Sequence, residues 1–445
     1  MIEMSPEVVT ILMFAGVFIG VLLGYPLAIV VGAVGLIVGI LLFGGAIVTE
    51  LYYGRIFKQL TNYVLLAVPL FIFMGTMLER SRVADALYDA LYLWFGGFRG
   101  GLAVTTILIG TVMAACVGVI AASTTMLALI ALPSMVKRGY NKALASGSVC
   151  AGGTLGILIP PSIMLVVYGP MSGLSVGKLF FAAFMPGFVL SGLYCGYVIV
   201  ACLLRPQMGP PVPVEERRVP FLQKTRMLLV SLVPPLALIL AVLGSIFLGI
   251  AAPTEASAVG AFAATILAIA YRRFSFRILK ETAFDTARLS AMVLLIASLS
   301  FAFVGVFIRA GCGEVVANAI LSAPGGRWGA FVVIMFICFI LGMFIDWIGI
   351  VFIMVPIITP IVAVLGFDPL WFGMMICINL QMSFLTPPFA YAIFFVKGTA
   401  PPELGITTAD IIRGVIPFVI LIMVGIALCI FFPDIILWLP GKMLA

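Results

Sequence analysis

Residues 152–162 read GGTLGILIPPS, and residues 379–388 read NLQMSFLTPP. Each stretch carries a pair of prolines that interrupts a long apolar run. Because proline lacks an amide hydrogen, such a pair frees backbone carbonyls and breaks a helix. In a membrane, a broken helix is tolerated only where it lines a cavity inside the protein. The two stretches therefore predict two broken membrane helices beside a binding site.

The composition identifies lipid as the solvent of this chain. Of its 445 residues, 64% are hydrophobic and 9% are charged, whereas a soluble domain has about 25% charged residues. Too few polar residues are present to cover the apolar surface in water. The apolar runs do not alternate with polar residues, which favours helices over barrel strands. The fold is predicted to be an all-α polytopic membrane protein.

The two halves of the chain repeat at a constant spacing of 227 residues. The matched landmarks are Pro26 with Pro253, Pro133 with Pro360, Gly139 with Gly366, Tyr140-Asn141 with Phe367-Asp368, and Pro160-Pro161 with Pro387-Pro388. Coincidence in a chain rich in Gly and Pro is the alternative, but the matches need no gap. We predict a first repeat over 1–205, a cytoplasmic linker over 206–227 and a second repeat over 228–445. Repeated halves are typical of secondary transporters.

Apolar segments of about 20 residues predict membrane-spanning helices at 8–24, 27–44, 101–136, 143–170, 179–204, 228–249, 254–271, 329–362, 370–396 and 411–432. Segments 60–78 and 289–308 either span or enter and return, and we take them as re-entrant. Each half then crosses five times, so the repeats are inverted. The proline-rich linker and the KRGYNK run at 137–142 carry basic residues, which places them in the cytoplasm. Cytoplasmic loops also account for the net charge of +7 without nucleic acid.

Several classes of function are excluded by what the sequence lacks. The chain has no histidine, which excludes histidine-held haem or zinc, Ser-His-Asp hydrolysis and histidine proton relays. It has no GxxxxGK[ST] motif, which excludes an ATP-driven pump. The eight cysteines form no CxxC pair and are interpreted as small hydrophobic residues. An intramembrane enzyme needs a nucleophile with a base, or paired aspartates, whereas this chain has one aspartate at membrane depth, Asp346. A channel needs a continuous polar lining, whereas this chain has a few separate polar clusters. We expect a transporter that is not an enzyme and has no organic cofactor.

A first polar cluster interrupts the apolar run at 118–125, which reads GVIAASTT. Ser123, Thr124 and Thr125 can cap a half-helix whose N-terminus attracts an anion, and carbonyls freed near Gly118 can hold a cation. The alternative is that these hydroxyls bond back to their own helix or to a neighbour.

The repeat partner of this cluster, residues 345–352, contains Asp346. An ionisable residue at membrane depth is a functional candidate by default. The alternative is a structural pair between Asp346 and an arginine of another helix.

A second cluster surrounds the two prolyl pairs. Its polar side chains stand just before the prolines: Thr154, Asn379, Gln381, Ser383 and Thr386. A cage of neutral oxygen atoms suits a hard cation such as sodium. The alternative is a pair of kinked helices needed only for packing.

A third cluster belongs to the two segments that we take as re-entrant. Pro69 stands at a possible tip of the first segment, and Ser298 and Ser300 lie in the second. Ordinary spanning helices are the alternative, and they would change the topology.

Four stretches resemble the large membrane subunit of TRAP transporters, the tripartite ATP-independent periplasmic type. They are GIAAPTEASAVGA around Pro253, LPSMVKRGY ending at Tyr140, GGTLGILIPPS ending at Ser162, and LTPP ending at Pro388. The resemblance covers essentially the whole chain. It implies a multi-pass protein of the bacterial inner membrane that imports small carboxylates by a sodium-driven elevator mechanism. The implied partners are a small TRAP membrane subunit and a periplasmic solute-binding protein.

The resemblance, joined to the polar clusters, gives two sets of expected site residues. The substrate-binding set is Pro69, Ser123, Thr124, Thr125, Ser300 and Gln381. The sodium-binding set is Gly118, Thr154, Ser298, Asp346, Gly349, Asn379 and Thr386.

Four further points accompany the resemblance. Many members have an SGSS-like stretch where this chain reads Val117-Gly-Val-Ile120, so side-chain ligands for sodium there are in doubt. Glu255 follows Pro253 at a helix start and is interpreted as structural, because a carboxylate favours the helix dipole there. A stand-alone sodium- or proton-coupled carboxylate carrier remains the alternative function. Arg80, Arg288 and Arg309 are equal candidates to meet the anion.

Overall fold

The chain folds into α-helices joined by tight turns and short 3₁₀ segments. The computed structural model describes residues 3–118 and 120–443. The helices of the first half are α1 (Pro6–Leu22), α2 (Leu27–Phe43), α3 (Gly45–Leu60), α4 (Ala67–Arg80), α5 (Val83–Phe95), α6 (Gly101–Val117), α7 (Ile120–Lys137), α8 (Lys142–Thr154), α9 (Ile163–Ser172) and α10 (Val176–Leu204).

The second half repeats this order. Its helices are α11 (Phe221–Phe247), α12 (Pro253–Ala270), α13 (Phe276–Arg309), α14 (Cys312–Leu321), α15 (Gly326–Gly342), α16 (Trp347–Leu365), α17 (Pro369–Ser383), α18 (Tyr391–Thr399), α19 (Thr408–Phe431) and α20 (Asp434–Leu437). Among the described residues, eight helices are long and apolar enough to cross a membrane. The prediction of an all-α polytopic membrane protein is confirmed.

The spacing of 227 residues places helix on helix along both halves. It maps α6 to α10 onto α15 to α19, and α1 and α2 onto α11 and α12. Gln381 Nε2 donates to Thr154 Oγ1 at 3.5 Å, and these two residues are 227 positions apart. A contact between equivalent residues agrees with a two-fold relation between the repeats.

Helices α6 and α7 form an antiparallel hairpin, named hairpin 1 below. Thr106 Oγ1 lies 3.9 Å from Met135 Sδ across the hairpin. At its open end the Leu102 amide donates to the hydroxyl of Tyr140 at 3.1 Å. The 101–136 segment is thus a re-entrant hairpin and not the single crossing that its length suggests.

Helices α15 and α16 form the equivalent hairpin 2. The rings of Trp328 and Phe331 near one end of α15 pack on Phe367, just beyond α16, with centroids 5.2 and 5.9 Å apart. The tip is the four-residue turn 343–346, which ends at Asp346. The prediction of one crossing over 329–362 is wrong for the same reason as in hairpin 1.

The segments predicted to be re-entrant are not the hairpins. Residues 289–308 lie within α13, which runs unbroken for 34 residues, because no proline and no early glycine interrupts it. Residues 63–80 form a 3₁₀ turn followed by α4, long and apolar enough to span. α13 therefore covers the positions that α3 and α4 hold in the first half, where Asn62 accepts from the Val64 amide and starts the turn between them.

The predicted broken helices are confirmed. α8 and α9 are separated by residues 155–162, and α17 and α18 by residues 384–390. Both prolyl-prolyl bonds, Pro160-Pro161 and Pro387-Pro388, are cis. α8 packs against both helices of hairpin 1 and against α19. Small residues allow this: a Cβ on Gly147 would lie 2.1 Å from the Gly414 carbonyl oxygen.

The long helices α2, α4, α12 and α13, named the frame below, pack with the same internal symmetry. α4 packs along α12, and the equivalent pair, α2 and the second part of α13, packs in the same way. Gly260 meets Met74 in the first contact, and Gly35 meets Phe303 in the second. The Glu255 side chain accepts from the Ala252 amide at 2.9 Å. This bond agrees with the interpretation of Glu255 as a structural residue at a helix start.

The stretch between α10 and α11 is fastened to hairpin 1. The Gly100 amide donates to the Gly209 carbonyl at 2.8 Å, and the Asn141 amide donates to the Met208 carbonyl at 2.9 Å. Farther along, the Glu216 carboxylate accepts from Arg138 at 2.6 Å. α11 begins at Phe221, inside the predicted linker. The stretch is thus an ordered strap across the open end of hairpin 1.

Candidate substrate cavity at the hairpin tips

A cavity of about 420 Å³ lies where the two hairpin tips, the two helix breaks and the frame meet. Its walls come from the tip of hairpin 2, the first residues of α7, α9, α16 and α18, and α13 and α4 of the frame. The frame side is apolar: Ile72, Leu289, Met292, Val293 and Ile296. No lysine or arginine is among the described residues that line it.

Four helices begin at this cavity. Ile120, Ile163, Trp347 and Tyr391 are the first residues of α7, α9, α16 and α18, and all four line the cavity. The first amides of a helix have no partner within the helix, and the helix dipole places partial positive charge there. The breaks in the membrane helices therefore surround the cavity with positive helix ends. This arrangement favours an anion without a cationic side chain.

Asp346 is the acidic residue of the cavity. It directly precedes α16 in extended conformation and is partly buried. A carboxylate here repels a bound anion and attracts a cation. The Asp346 carboxylate lies beside the Trp347 and Ile348 amides and offsets the positive end of α16. The starts of α7, α9 and α18 therefore favour an anion, and Asp346 favours a cation. No ion pair to Asp346 was found among the described residues, so the structural pairing with an arginine is not supported.

The three candidate arginines do not line the cavity. The Arg80 guanidinium binds the carboxylates of Glu281 and Asp285 on α13. The Arg309 guanidinium lies over the ring of Phe43, 5.3 Å from its centroid. Arg288 lies on α13, one residue before the wall formed by Leu289. None of the three arginines therefore supplies positive charge to the wall of the cavity.

The first polar cluster joins the tip of hairpin 1 to the first helix break. Ser123 Oγ donates to the Gly153 carbonyl at 2.8 Å. Thr124 is fully buried against Gly153, and its hydroxyl has no partner among the described residues. Thr125 is partly exposed. Gly118 has a φ of 65°, and a Cβ there would lie 3.3 Å from the Pro161 carbonyl oxygen.

The second polar cluster is divided among different contacts and does not line the cavity. Gln381 Nε2 reaches both Thr154 and the hydroxyl of Tyr194, which lies 3.3 Å away. Asn379 Nδ2 donates to the Met335 carbonyl at 2.7 Å. Thr386 Oγ1 donates to the carbonyl of Met382, one turn earlier. These side chains join helices or cap their own helix, and they do not surround one common point.

The third cluster and Gly349 lie elsewhere. Pro69 is in the first turn of α4, and Ser298 Oγ donates to the Leu294 carbonyl of its own helix at 2.8 Å. Ser300 is buried, and its hydroxyl has no partner among the described residues. Gly349 packs against Leu27 and lines a separate apolar cavity of about 560 Å³. The ligand roles assigned to these residues stay predictions.

Sequence reasoning missed the aromatic and apolar lining of the cavity. Tyr391, Trp347 and Tyr25 line it, but none stands out among apolar neighbours. One signal was present: Trp347 follows Asp346, and Tyr391 follows the second prolyl pair by three residues. Each therefore starts a helix directly after a predicted break.

Comparison with known proteins identifies the family. The family model of the "Tripartite ATP-independent periplasmic transporter, DctM component" matches residues 12–435. The chain belongs to this family of TRAP large permeases. It is therefore a multi-pass protein of the bacterial inner membrane and a transporter subunit, not an enzyme.

Two relatives show how far the family likeness extends. The DctM large permease of a C4-dicarboxylate TRAP transporter from Pseudomonas aeruginosa is 31% identical over 388 residues, 87% of this chain and 88% of that protein. The large permease UehC of an ectoine/5-hydroxyectoine TRAP transporter from Ruegeria pomeroyi is 30% identical over 428 residues, 96% of this chain and 97% of that protein. The family thus serves different solutes.

The fold is shared more widely than the sequence. The YdaH transporter from Alcanivorax borkumensis, whose crystal structure has an unusual topology, superposes with a TM-score of 0.64 at 15% identity. The match covers 97% of this chain and 99% of that one. The TRAP large permease therefore has the same helix arrangement as a distant group of transporters.

Proposed function

We propose that this TRAP permease imports a small carboxylate together with sodium. In this proposal the two hairpins and the broken helices move together against the frame. The observation that carries the proposal is the convergence of four helix N-termini on one cavity beside Asp346. The family alone does not fix the solute, because its relatives differ in what they carry.

The carboxylate follows from the electrostatics of the cavity. Helix N-termini bind anionic oxygens through free amides and the helix dipole. A volume of about 420 Å³ falls within the range of small-molecule sites, roughly 300–1,000 Å³. The lining is largely apolar, so the solute carries few hydroxyl groups. A small organic acid fits these requirements better than a sugar acid.

The sodium ion follows from the oxygen atoms at the same place. Sodium is a hard cation that prefers carboxylate and carbonyl oxygens. Asp346 supplies a carboxylate to the cavity. The breaks after α8 and α17, which end next to the lining residues Ile163 and Tyr391, leave carbonyls outside regular helix. A cation near Asp346 also offsets the repulsion between that carboxylate and a bound anion. This mutual dependence supplies a physical basis for coupled transport.

Elevator movement is supported by the division of the helices. Hairpin 1 packs on the broken helices through α8, and hairpin 2 packs on them through α9 and α17. The frame presents an apolar wall to the cavity through Leu289, Val293 and Ile296 of α13. An apolar wall makes few directional bonds, so it opposes sliding less than a hydrogen-bonded contact does.

The partners in this proposal are a small membrane subunit and a periplasmic solute-binding protein, as TRAP membership implies. A stand-alone carrier with the same coupling is the alternative. Uptake into proteoliposomes separates the two. The solutes are labelled small mono- and dicarboxylates, under an inward sodium gradient, with and without the binding protein.

Uptake that needs both sodium and the binding protein supports the proposal. Uptake without the binding protein favours the stand-alone carrier, and uptake of amide analogues as fast as the acids contradicts the anion site.

Asp346→Asn tests the cation site directly. Because the amide keeps the shape of the side chain but loses its charge, we expect sodium-driven uptake to fall by about tenfold or more. Asp434→Asn, at an exposed aspartate that begins α20, is the matched control and should leave uptake unchanged. Full sodium dependence in Asp346→Asn would refute the role of this carboxylate.

A further inference from the structure

Three buried hydroxyls of α13 have no hydrogen-bond partner in the described part of the chain. They belong to Thr282, Thr286 and Ser290, which are 0%, 9% and 7% exposed. Their spacing of four residues places them on one face of the helix, about 6 Å apart along its axis. Buried polar atoms in proteins are almost always bonded to protein or to ordered water.

Other hydroxyls in the molecule are satisfied by their own helix. Ser298, farther along α13, donates to the carbonyl of Leu294 at 2.8 Å. Thr76 on α4 and Thr359 on α16 do the same to the carbonyls four residues earlier. The three hydroxyls of α13 do not use this bond and are free to meet a partner outside the helix.

One end of the hydroxyl stripe reaches a charged cluster. Arg80, the last residue of α4, binds Glu281 and Asp285, which directly precede Thr282 and Thr286. Glu281 and Asp285 are 38% and 45% exposed in their side chains, so this end of the stripe opens at the protein surface.

The other end of the stripe reaches the substrate cavity. Ser290 is flanked by Leu289 and lies three residues before Val293, and both of these line the cavity that contains Asp346. Residues three apart on a helix lie on the same face. The hydroxyls therefore span the distance, about 12 Å from Thr282 to Ser290, between the charged cluster and the cavity.

We propose that Thr282, Thr286 and Ser290 line a water-filled path along α13 that connects the Arg80–Glu281–Asp285 cluster with the cavity at Asp346. Water supplies the partners that the hydroxyls lack. Neutral oxygen atoms, with carboxylates at the entrance, make the path suitable for a small monovalent cation. The inference goes beyond the proposed function, because it assigns a route and not a substrate.

Cysteine accessibility tests the path without any transport measurement. Thr282→Cys, Thr286→Cys and Ser290→Cys are made one at a time in a chain whose eight native cysteines are replaced, and the proteins are placed in lipid nanodiscs. The probe is a cationic, water-soluble methanethiosulfonate reagent. The matched control is Ala302→Cys, which is fully buried on the other side of the same helix.

A thiol in apolar surroundings reacts slowly because the thiolate is disfavoured there. We therefore expect the three stripe thiols to react at least about tenfold faster than Ala302→Cys. Three thiols as unreactive as the control would overturn the path.

If a variant does not fold, a density map of the unmodified protein tests the path instead, at a resolution that shows ordered water. Water within hydrogen-bond distance of the three hydroxyls is expected, and a dry interface refutes the proposal. Neither the cysteine labelling nor the density map depends on sodium-coupled uptake. The water-filled path and the proposed function can therefore fail separately.

Discussion

Replacing Gly153 by alanine should separate hairpin 1 from the broken helix on which it rests. Gly153 lies in the last turn of α8 and faces the second turn of α7. A Cβ added there would lie 2.3 Å from Thr124 Oγ1 and 2.8 Å from Thr124 Cα. The hydroxyl can rotate away, but the Cα belongs to the backbone of α7. One helix must therefore move, and the hydrogen bond from Ser123 to the Gly153 carbonyl is lost or lengthened.

The magnitude follows from two opposing effects. Overpacking of a well-packed core costs about 1–3 kcal/mol. Replacing a helical glycine by alanine gains about 0.5–1 kcal/mol where space is available. Gly192 in α10 supplies the control, because a Cβ there meets no atom within 4 Å. The free energy of unfolding of Gly153→Ala should thus be about 1–3 kcal/mol below that of Gly192→Ala.

Reversible unfolding in mixed micelles, followed by tryptophan fluorescence, measures this difference. Sodium-driven uptake by the same variants should fall in Gly153→Ala and not in Gly192→Ala. Thr124→Ala, combined with Gly153→Ala, should not restore stability, because Thr124 Cα and Cβ remain within 2.8 and 2.9 Å of the new methyl. Equal stability of the two glycine variants, or full rescue by Thr124→Ala, would refute the backbone contact.

Two other predictions concern the open end of hairpin 1. Tyr140→Phe removes the acceptor of the buried Leu102 amide and should lower the free energy of unfolding by about 1–3 kcal/mol; a change below the error of the titration would show that water replaces the hydroxyl. The hydroxyl of Tyr92 and the guanidinium of Arg138 lower the pKa of the Glu216 carboxyl. A carboxyl with a lowered pKa stabilises the fold above its unfolded pKa and loses that effect as the pH falls through its folded pKa. Cleavage of the 206–220 strap by an acid-active protease should therefore accelerate below the usual pKa range of glutamate, and in Glu216→Gln it should be fast at every pH. Identical pH profiles for the two proteins would exclude Glu216 as the fastening group.

The broken helices were predictable because their cause is local. A prolyl pair removes two amide donors wherever it stands, and the 227-residue spacing marked both pairs as equivalent. The start of α12 was predictable for the same reason, since Pro253 and Glu255 act within one helical turn. The hairpins were not predictable in this way. The 101–136 run has the length and polarity of a long spanning helix, and the single positive-φ glycine at its centre, Gly118, does not by itself reveal that the chain turns back.

The candidate site was likewise predictable from the sequence only in part. Asp346 was predicted as a site residue from its charge in an apolar run, and the structure places it in the cavity. Gln381 and Asn379 were predicted from polarity alone, and the structure places them in contacts between helices. Polarity shows that a side chain in lipid needs a partner, but it does not show whether that partner is a neighbouring helix or a solute.

From the sequence alone one can derive the solvent, the helical fold, the twofold repeat and the positions of the breaks. These properties depend on composition and on interactions within a few residues, so they can be read along the chain. Packing between distant segments sets which segments fold back, which helix ends meet, and where α13 faces the cavity. The four N-termini at that cavity come from segments up to 271 residues apart, Ile120 to Tyr391. Their joint positive potential arises only when packing brings the helix ends to one point, because the effect of each end falls off within its first turn.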